Sequence, residues 1–208
     1  MDLRLLAVAP LLLLAACGGG ADAVARDSVP SPSDPDAPPA LTLPADVRTA
    51  DLATVMDTGR GRPQVCLGPI AESYPPKCGG PVLLGWRWKQ HPEHDRHGRI
   101  RWGSFMITGS WDGARLRAVD AVSAALYDPM YVDPTTPPDP EPPVAREELE
   151  RIAEELQEVL PGVQGTYAAE THVLADVLYD VGSLQNWADE TYGEDVVVLT
   201  AALVPVGG

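Results

Sequence analysis

The sequence predicts an α+β fold, in which a small antiparallel sheet or partly open barrel is followed by an α/β segment. In residues 46–128, hydrophobic residues alternate with polar ones over short stretches, as in strands that bury one face. Residues 144–206 begin instead with a stretch of helical period. The proline-rich run 129–143 separates these two parts and is expected to be a semi-rigid connector or an ordered surface loop.

Four or five strands are expected in the first part. Residues 52–57 and 64–67 flank a Gly-rich turn, as the two strands of a hairpin would. Residues 82–88 alternate and place two tryptophans on one face. Residues 99–109 and 114–120 are joined through an Asp-Gly step, which favours a tight hairpin turn.

The second part is expected to run helix, strand, helix, strand. The helix over 146–160 has one apolar face, and a Pro-Gly step ends it. A strand is expected at 172–179. Ser183 is placed to cap a short helix that Gly193 ends. Residues 196–204 are apolar on both faces, which is typical of a central strand. Whether the strands of the first part join this sheet is left open by the sequence.

The N-terminus has the features of an export signal. Residues 1–16 contain an apolar run that is too short to span a hydrocarbon core of about 30 Å. The run ends in Leu-Ala-Ala-Cys, which resembles the lipobox of bacterial lipoproteins. The resemblance implies that Cys17 is lipidated and becomes the mature N-terminus, anchored at the extracytoplasmic face of the cell membrane. Ordinary cleavage after residues 21–23 would instead release a soluble secreted protein.

A segment with almost no large apolar residue follows Cys17. Residues 17–45 consist mainly of Gly, Ala, Ser, Asp and Pro. Such a composition cannot bury enough surface to offset the entropy of ordering, so a disordered tether is expected.

Export also bears on the two remaining cysteines, Cys66 and Cys78. An even pair in an oxidising compartment favours a disulfide over free thiols. The eleven residues between them are not the short spacing of a zinc site. A redox-active pair is the alternative.

Two stretches carry a wider resemblance. They read CLGPIAESYPPKCGGPVLLGW at 66–86 and SLQNWADETYGEDVVVLTAALVPV at 183–206. They resemble segments of uncharacterised exported lipoproteins of high-GC Gram-positive bacteria. The resemblance supports the pairing of Cys66 with Cys78 and implies a C-terminal strand, but it implies no activity and no catalytic residue.

The charge is unevenly distributed. The chain has 30 acidic and 15 basic residues, a formal net charge of −15, which argues against nucleic acid as a partner. Residues 81–120, however, hold seven basic residues against four acidic ones, whereas 121–208 hold two against seventeen. A basic, Trp-rich region therefore precedes a strongly acidic one.

The sequence HPEHDRH within the basic region is a candidate metal site. His91, His94 and His97 recur at three-residue spacing, with carboxylates between them, and these are ligands that zinc or copper accepts. Pro92 breaks any helix here, so solvated histidines of a hairpin loop are the alternative. No other cofactor is suggested by the sequence.

The basic residues are candidates for binding a polyanion. Arginines and lysines alternate with tryptophans, a composition that follows anionic polymers by charge and stacking. The partner would be an envelope polymer, a lipid headgroup or a protein. The alternatives are that these residues form the solvated face of a sheet or dock on the acidic part. The candidates are Arg87, Lys89, Arg99, Arg101, Arg115 and Arg117, with Arg96 in the same stretch.

No common catalytic motif is present. The sequence has no G-x-S-x-G, H-E-x-x-H, phosphate-binding Gly-rich loop or C-x-x-C. No catalytic residue can therefore be nominated, and the question of enzymatic activity stays open. The sequence favours a membrane-anchored binding or interaction module at the cell envelope, with a metal-binding or metal-dependent protein as the alternative.

Overall fold

The fold is described from a computed structural model, which covers residues 37–128 and 137–207. Cys17, the signal peptide 1–16, most of the predicted tether and the first half of the proline-rich run lie outside the described residues. The described residues form one compact unit. No helix among the described residues is long and apolar enough to cross a membrane.

The described residues form ten strands, two α-helices and one 3₁₀ helix. The strands are β1 (Asp46–Thr49), β2 (Ala53–Asp57), β3 (Gln64–Val65), β4 (Val82–Leu84), β5 (Asp95–His97), β6 (Ile100–Trp111), β7 (Arg115–Ser123), β8 (Val163–Ala168), β9 (Val173–Tyr179) and β10 (Val197–Pro205), and the helices are α1 (Arg146–Val159), α2 (Ser183–Tyr192) and the 3₁₀ helix Trp88–Gln90.

All ten strands belong to one mixed sheet, and the α+β prediction is confirmed. The order is β2-β3-β4-β7-β6-β1-β10-β9-β8, and β5 pairs with β6. Two of the pairings, β4 with β7 and β9 with β10, are parallel. The first part is therefore not a purely antiparallel sheet. The chain that connects the parallel strands β4 and β7 includes β5 and β6.

Strand β1 makes the sheet continuous across the two parts of the chain. Val47 pairs with Gly109 of β6 on one side and with Pro205 of β10 on the other. The sequence of β1 is Asp-Val-Arg-Thr, and two charged residues in four give no strand signal. Its neighbours supply the hydrogen bonds that hold it extended.

The expected barrel is only partly realised. Strand β2 pairs with β6 as well as with β3, so the pairings run round from β2 through β3, β4, β7 and β6 back to β2. However, β3 has two residues and β4 three, and the enclosure is not a clear barrel. Both strands are short because Pro63 and Pro81 precede them and have no N–H to donate to a longer ladder.

Two large hydrophobic cores and one small cluster, formed by Met56, Cys66 and Trp102, lie among the described residues. The first is enclosed by the ring of strands and centres on Val55, Phe105 and Ile107, which have no exposed surface. The second lies beneath the two helices, where the apolar face of α1 packs on β9. Its central residues include Leu149, Ile152 and Leu156 of α1, Val173 and Val177 of β9, and Leu184 of α2.

Helix α2 begins and ends much as the sequence predicts, but its capping residue is different. The Asp180 carboxylate accepts hydrogen bonds from the backbone N–H groups of Leu184 (3.0 Å) and Gln185 (3.2 Å). Ser183 does not cap the helix, since its hydroxyl donates to the same carboxylate at 3.3 Å. Gly193 follows the last turn at a φ of 106°, a conformation that favours glycine.

The predicted disulfide between Cys66 and Cys78 is present. Cys66 follows β3, and its N–H donates to the carbonyl oxygen of Thr54 in β2. The bond therefore ties the segment between the two cysteines to the end of β3. A closed loop of this length stabilises the fold by about 3 kcal/mol in the chain-entropy model.

Candidate functional site

Five aromatic and imidazole rings pack together beside strand β6. Trp86 lies at the centre, with its ring centroid 3.9 Å from that of His91, 4.8 Å from Phe105 and 5.5 Å from Trp88. The ring of His94 in turn lies 4.7 Å from that of Trp88. These five residues are called the aromatic cluster below.

Strand β4 ends earlier than predicted. The turn that follows it places Trp86 and Trp88 in the aromatic cluster. The pattern over 82–88 predicts a continuous strand, but the chain turns at Gly85, whose φ is +79°. Trp88 then enters the 3₁₀ helix and is 7% exposed. Its indole Nε1 donates to the Asp57 carboxylate of β2 at 2.9 Å, which anchors this turn to the sheet.

A basic cavity lies on the Trp88 side of the aromatic cluster. Its volume is about 360 Å³. Three cationic side chains, one imidazole, one indole and one proline line it. The lining residues are Trp88, Lys89, Pro92, His94, Arg96 and Arg101. These six residues are called the basic cavity below, and no acidic side chain is among them.

The hairpin of β5 and β6 brings two of the cations together. Arg96 and Arg101 are direct partners in the antiparallel pairing of these strands. Like charges directly opposite one another on two strands are destabilising. The Nε of Arg96 donates to the carbonyl oxygen of Gly98 at 2.8 Å, so this guanidinium is held in place by the turn of its own hairpin.

No carboxylate of the described residues lies within ion-pair distance of these cations. Lys89, Arg96 and Arg101 form no ion pair among these residues, whereas the arginines that do are Arg115, Arg146 and Arg151. Glu93 and Asp95 line an adjoining cavity, which shares Pro92 and His94 with the basic cavity. The lining of the basic cavity therefore carries net positive charge, and the carboxylates beside it are those of Asp57, the cross-strand partner of Arg101, and of Glu93 and Asp95 in the adjoining cavity.

The structure brings two of the six predicted polyanion-binding residues together in one cavity. Lys89 and Arg101 line the basic cavity. The other four are exposed and lie elsewhere: Arg87 before the 3₁₀ helix, Arg99 in the β5–β6 turn, and Arg115 and Arg117 on β7. Arg115 is paired with Asp112 at 2.9 Å across the end of the β6–β7 hairpin.

The three histidines of the predicted metal site contact three different aromatic rings. His91 stacks on Trp86, His94 lies against Trp88, and His97 makes an edge contact with Tyr74 at 5.9 Å. The Nδ1 of His94 donates to the backbone oxygen of His91 at 2.7 Å, so this nitrogen is already engaged. Among residues 37–128 and 137–207, no three His, Cys, Asp or Glu side chains are grouped to hold a metal ion.

The role of Arg96 in the cavity was not predicted from the sequence. A signal was present in Gly98, which has a φ of +60° and turns the chain between β5 and β6. A hairpin centred on this glycine places Arg96 opposite Arg101. Proline and charged residues in the preceding segment obscure the strand pattern that would have revealed it.

Comparison of the chain with models of protein families, with curated protein sequences and with solved structures finds no match. The functional interpretation therefore depends on the residues and geometry described above.

Proposed function

We propose that this protein is an exported lipoprotein, anchored through Cys17 at the outer face of the cell membrane, and that its folded part binds anionic groups of the cell envelope. The observation that carries the proposal is the basic cavity, where Lys89, Arg96 and Arg101 converge without forming an ion pair among the described residues. Phosphate and carboxylate groups are the ligands that this charge accepts.

The two arginines suit such a ligand because of their shape as well as their charge. A guanidinium presents N–H donors in a fixed fork that matches the oxygens of phosphate and carboxylate. An anion between Arg96 and Arg101 would replace their mutual repulsion with two attractions. The buried ring of Trp88 adds an apolar wall against which the body of the ligand can pack.

The sequence supports the location of the proposed ligand. The apolar run and the Leu-Ala-Ala-Cys motif resemble those of exported, lipid-anchored chains. Outside the membrane, phosphate groups occur in anionic polymers and in lipid headgroups. Both present the same chemistry to the cavity, so the experiment must distinguish them.

Binding can be measured with the full chain carrying Cys17→Ser, which leaves no thiol for lipidation. One arm uses soluble poly(glycerol phosphate), and the other uses vesicles of phosphatidylglycerol compared with phosphatidylcholine. The double variant Arg96→Gln with Arg101→Gln is expected to weaken binding at least tenfold, since charge-assisted hydrogen bonds contribute about 1.5–3 kcal/mol each. Binding should also weaken as salt is raised.

The matched control is Arg115→Gln with Arg117→Gln, which removes the same charge outside the cavity. It is expected to change affinity by no more than about twofold. If both double variants lost the same affinity, net charge would explain the loss, and a specific site would be contradicted. No binding in either arm at low salt would contradict the proposal altogether.

A further inference from the structure

A second cavity is lined by strands β9 and β10, by the β1–β2 turn and by the segment that follows Cys66. Its volume is about 250 Å³. Asp176 of β9 and Thr200 of β10 belong to its lining, and Leu52, Leu67 and Pro69 supply apolar surface. It shares no lining residue with the basic cavity and is called the acidic cavity below.

The acidic cavity contains a carboxylate without a partner. Asp176 is half-buried and forms no hydrogen bond or ion pair with a described residue. Burial raises the pKa of its carboxyl group above the usual 3.8, and no neighbouring charge contributes to this change. The other ionisable residue of the lining is the exposed Asp51, and no cationic side chain of the described residues lines the cavity. A bound cation would therefore offset the cost of removing this carboxylate from water.

Asp176 lies on the face of β9 that the helices leave uncovered. Val173 and Val177 of the same strand belong to the core beneath α1 and α2. Because side chains alternate along a strand, Asp176 lies on the opposite face. The parallel register places Thr200 of β10 beside it. A carboxylate and a hydroxyl group are therefore neighbours on this face, and both line the cavity.

A row of apolar side chains crosses the same face next to the cavity. Leu174 of β9 pairs with Tyr167 of β8 on one side and with Val198 of β10 on the other. Leu174 precedes Asp176 by two residues along the strand, a distance of about 7 Å. Tyr167 is 54% exposed, and the other two residues are partly exposed. The carboxylate therefore adjoins apolar surface that is in contact with water.

The chemistry of the lining selects one class of ligand. Among residues 37–128 and 137–207, no three His, Cys, Asp or Glu side chains are grouped to hold a metal ion. An anion would be repelled by Asp176 and by the second part of the chain, where 121–208 hold seventeen acidic and two basic residues. A neutral ligand would leave the carboxylate without a counter-ion. An organic cation satisfies both the charge and the apolar row.

We propose that the acidic cavity binds an ammonium group carried on an apolar chain. An ammonium group has three N–H donors, which can reach the Asp176 carboxylate and the Thr200 hydroxyl together. The apolar chain would cover Leu174 and Tyr167 and remove their surface from water. The four-carbon stem of a lysine side chain is long enough to reach from one to the other. A free alkylamine and a lysine side chain present the same chemistry, so the experiment includes both.

Binding is measured with the full Cys17→Ser chain by following the backbone amide resonances of Thr200 and Ala202 in NMR titrations at low salt. Pentylammonium chloride is the first probe, and Nα-acetyl-lysine N-methylamide represents a lysine side chain. At least one of the two is expected to shift these resonances saturably. Methylammonium should bind at least about threefold more weakly than pentylammonium, since it lacks the apolar chain. The uncharged 1-pentanol and the anion pentanoate should not bind.

The titration of Asp176 gives a second readout. A cation that binds the ionised carboxylate favours this form and lowers its pKa. Pentylammonium at about ten times its Kd should therefore lower the pKa of Asp176 by about 1, as followed by carbon NMR of the carboxyl group. The pKa of Asp51 should stay the same.

Two pairs of variants assign the binding to the named groups. Asp176→Asn should weaken pentylammonium binding about tenfold or more, because a charge-assisted hydrogen bond is lost. Its matched control Asp51→Asn should change the affinity by no more than about twofold. Tyr167→Ala should weaken the binding of pentylammonium but not that of methylammonium. Tyr74→Ala, at another exposed tyrosine, should affect neither.

Four results would overturn this assignment. They are the absence of a saturable shift with both amine probes, equal binding of 1-pentanol, an unchanged pKa of Asp176 in the presence of pentylammonium, and equal losses in Asp176→Asn and Asp51→Asn. The variant Arg96→Gln with Arg101→Gln should bind pentylammonium normally. The acidic cavity and the basic cavity are thereby tested separately, and either assignment can fail without the other.

Discussion

Asp176, the carboxylate of the acidic cavity, also bears on the stability of the sheet. It lies in β9 opposite Thr200 of β10 and Gly165 of β8. Its side chain lines a cavity of about 250 Å³ together with the β1–β2 turn and the segment that follows Cys66. Burial raises the pKa of its carboxyl group above the usual 3.8, and no hydrogen bond or ion pair with a described residue opposes this effect.

We expect Asp176→Asn to stabilise the protein at neutral pH. A group whose pKa is raised on folding favours the folded state below its unfolded pKa, and this contribution is lost as pH rises through the folded pKa. Ionised Asp176 therefore destabilises the fold at pH 8, and asparagine removes that cost. The unfolding temperature should rise at pH 8 and rise less at pH 4.

The matched control for this substitution is Asp51→Asn, an exposed carboxylate in the lining of the same cavity. It should leave the unfolding temperature nearly unchanged at both pH values. A lower unfolding temperature for Asp176→Asn at pH 8 would mean that the charged form has a stabilising partner and would refute the prediction.

Helix α2 illustrates how a correctly predicted element can have an unexpected cap. Capping rules point to Ser183, the first residue of the helix. The chain instead turns at Gly182, with a φ of 98°, and this turn brings the Asp180 carboxylate back over the first N–H groups. A local sequence pattern does not give the φ of Gly182, and this angle decides whether Ser183 or Asp180 caps the helix.

Asp180→Ala is accordingly expected to lower the free energy of unfolding by about 1 kcal/mol, the usual loss for a capping residue. Chemical denaturation measures this difference. Glu190→Ala, at an exposed position of the same helix, should change it by less than about 0.5 kcal/mol. Equal effects of the two substitutions would show that Asp180 does not cap α2.

Elements with a clear hydrophobic pattern could be predicted, including the short hairpin of β2 and β3, whereas short polar strands could not. The sequence pattern also misses strand β8, so the second part runs helix, strand, strand, helix, strand. Helix α1 and strands β6 and β9 carry clear hydrophobic periods and lie close to their expected positions. Strands β1 and β5 are short and largely polar, and they are extended because neighbouring strands pair with them. The basic cavity could be predicted only in part for the same reason. Lys89 and Arg101 could be named from the sequence, but their convergence with Arg96 depends on the register in which β5 pairs with β6.

The continuity of the sheet changes how the two parts of the chain are expected to unfold. Composition places a border in the proline-rich run, yet β1 belongs to the first part and pairs directly with β10 of the second. The end of that run also contacts the second part, where His172 Nε2 donates to the carbonyl oxygen of Pro138 at 2.9 Å. Two cores on one sheet favour a single cooperative transition.

We therefore expect residues 46–128 and 144–206 to unfold together. Both α-helices of the described chain lie in the second part, so circular dichroism at 222 nm reports mainly on that part. Tryptophan fluorescence of a Trp187→Phe variant reports only on the first part, which holds the other four tryptophans. The two denaturation curves should coincide.

Arg48→Pro, which removes a backbone N–H from β1, should separate the two curves, whereas Arg48→Ala should not. Distinct midpoints in the chain with an unaltered β1 would mean that the two parts are independent domains despite their shared sheet.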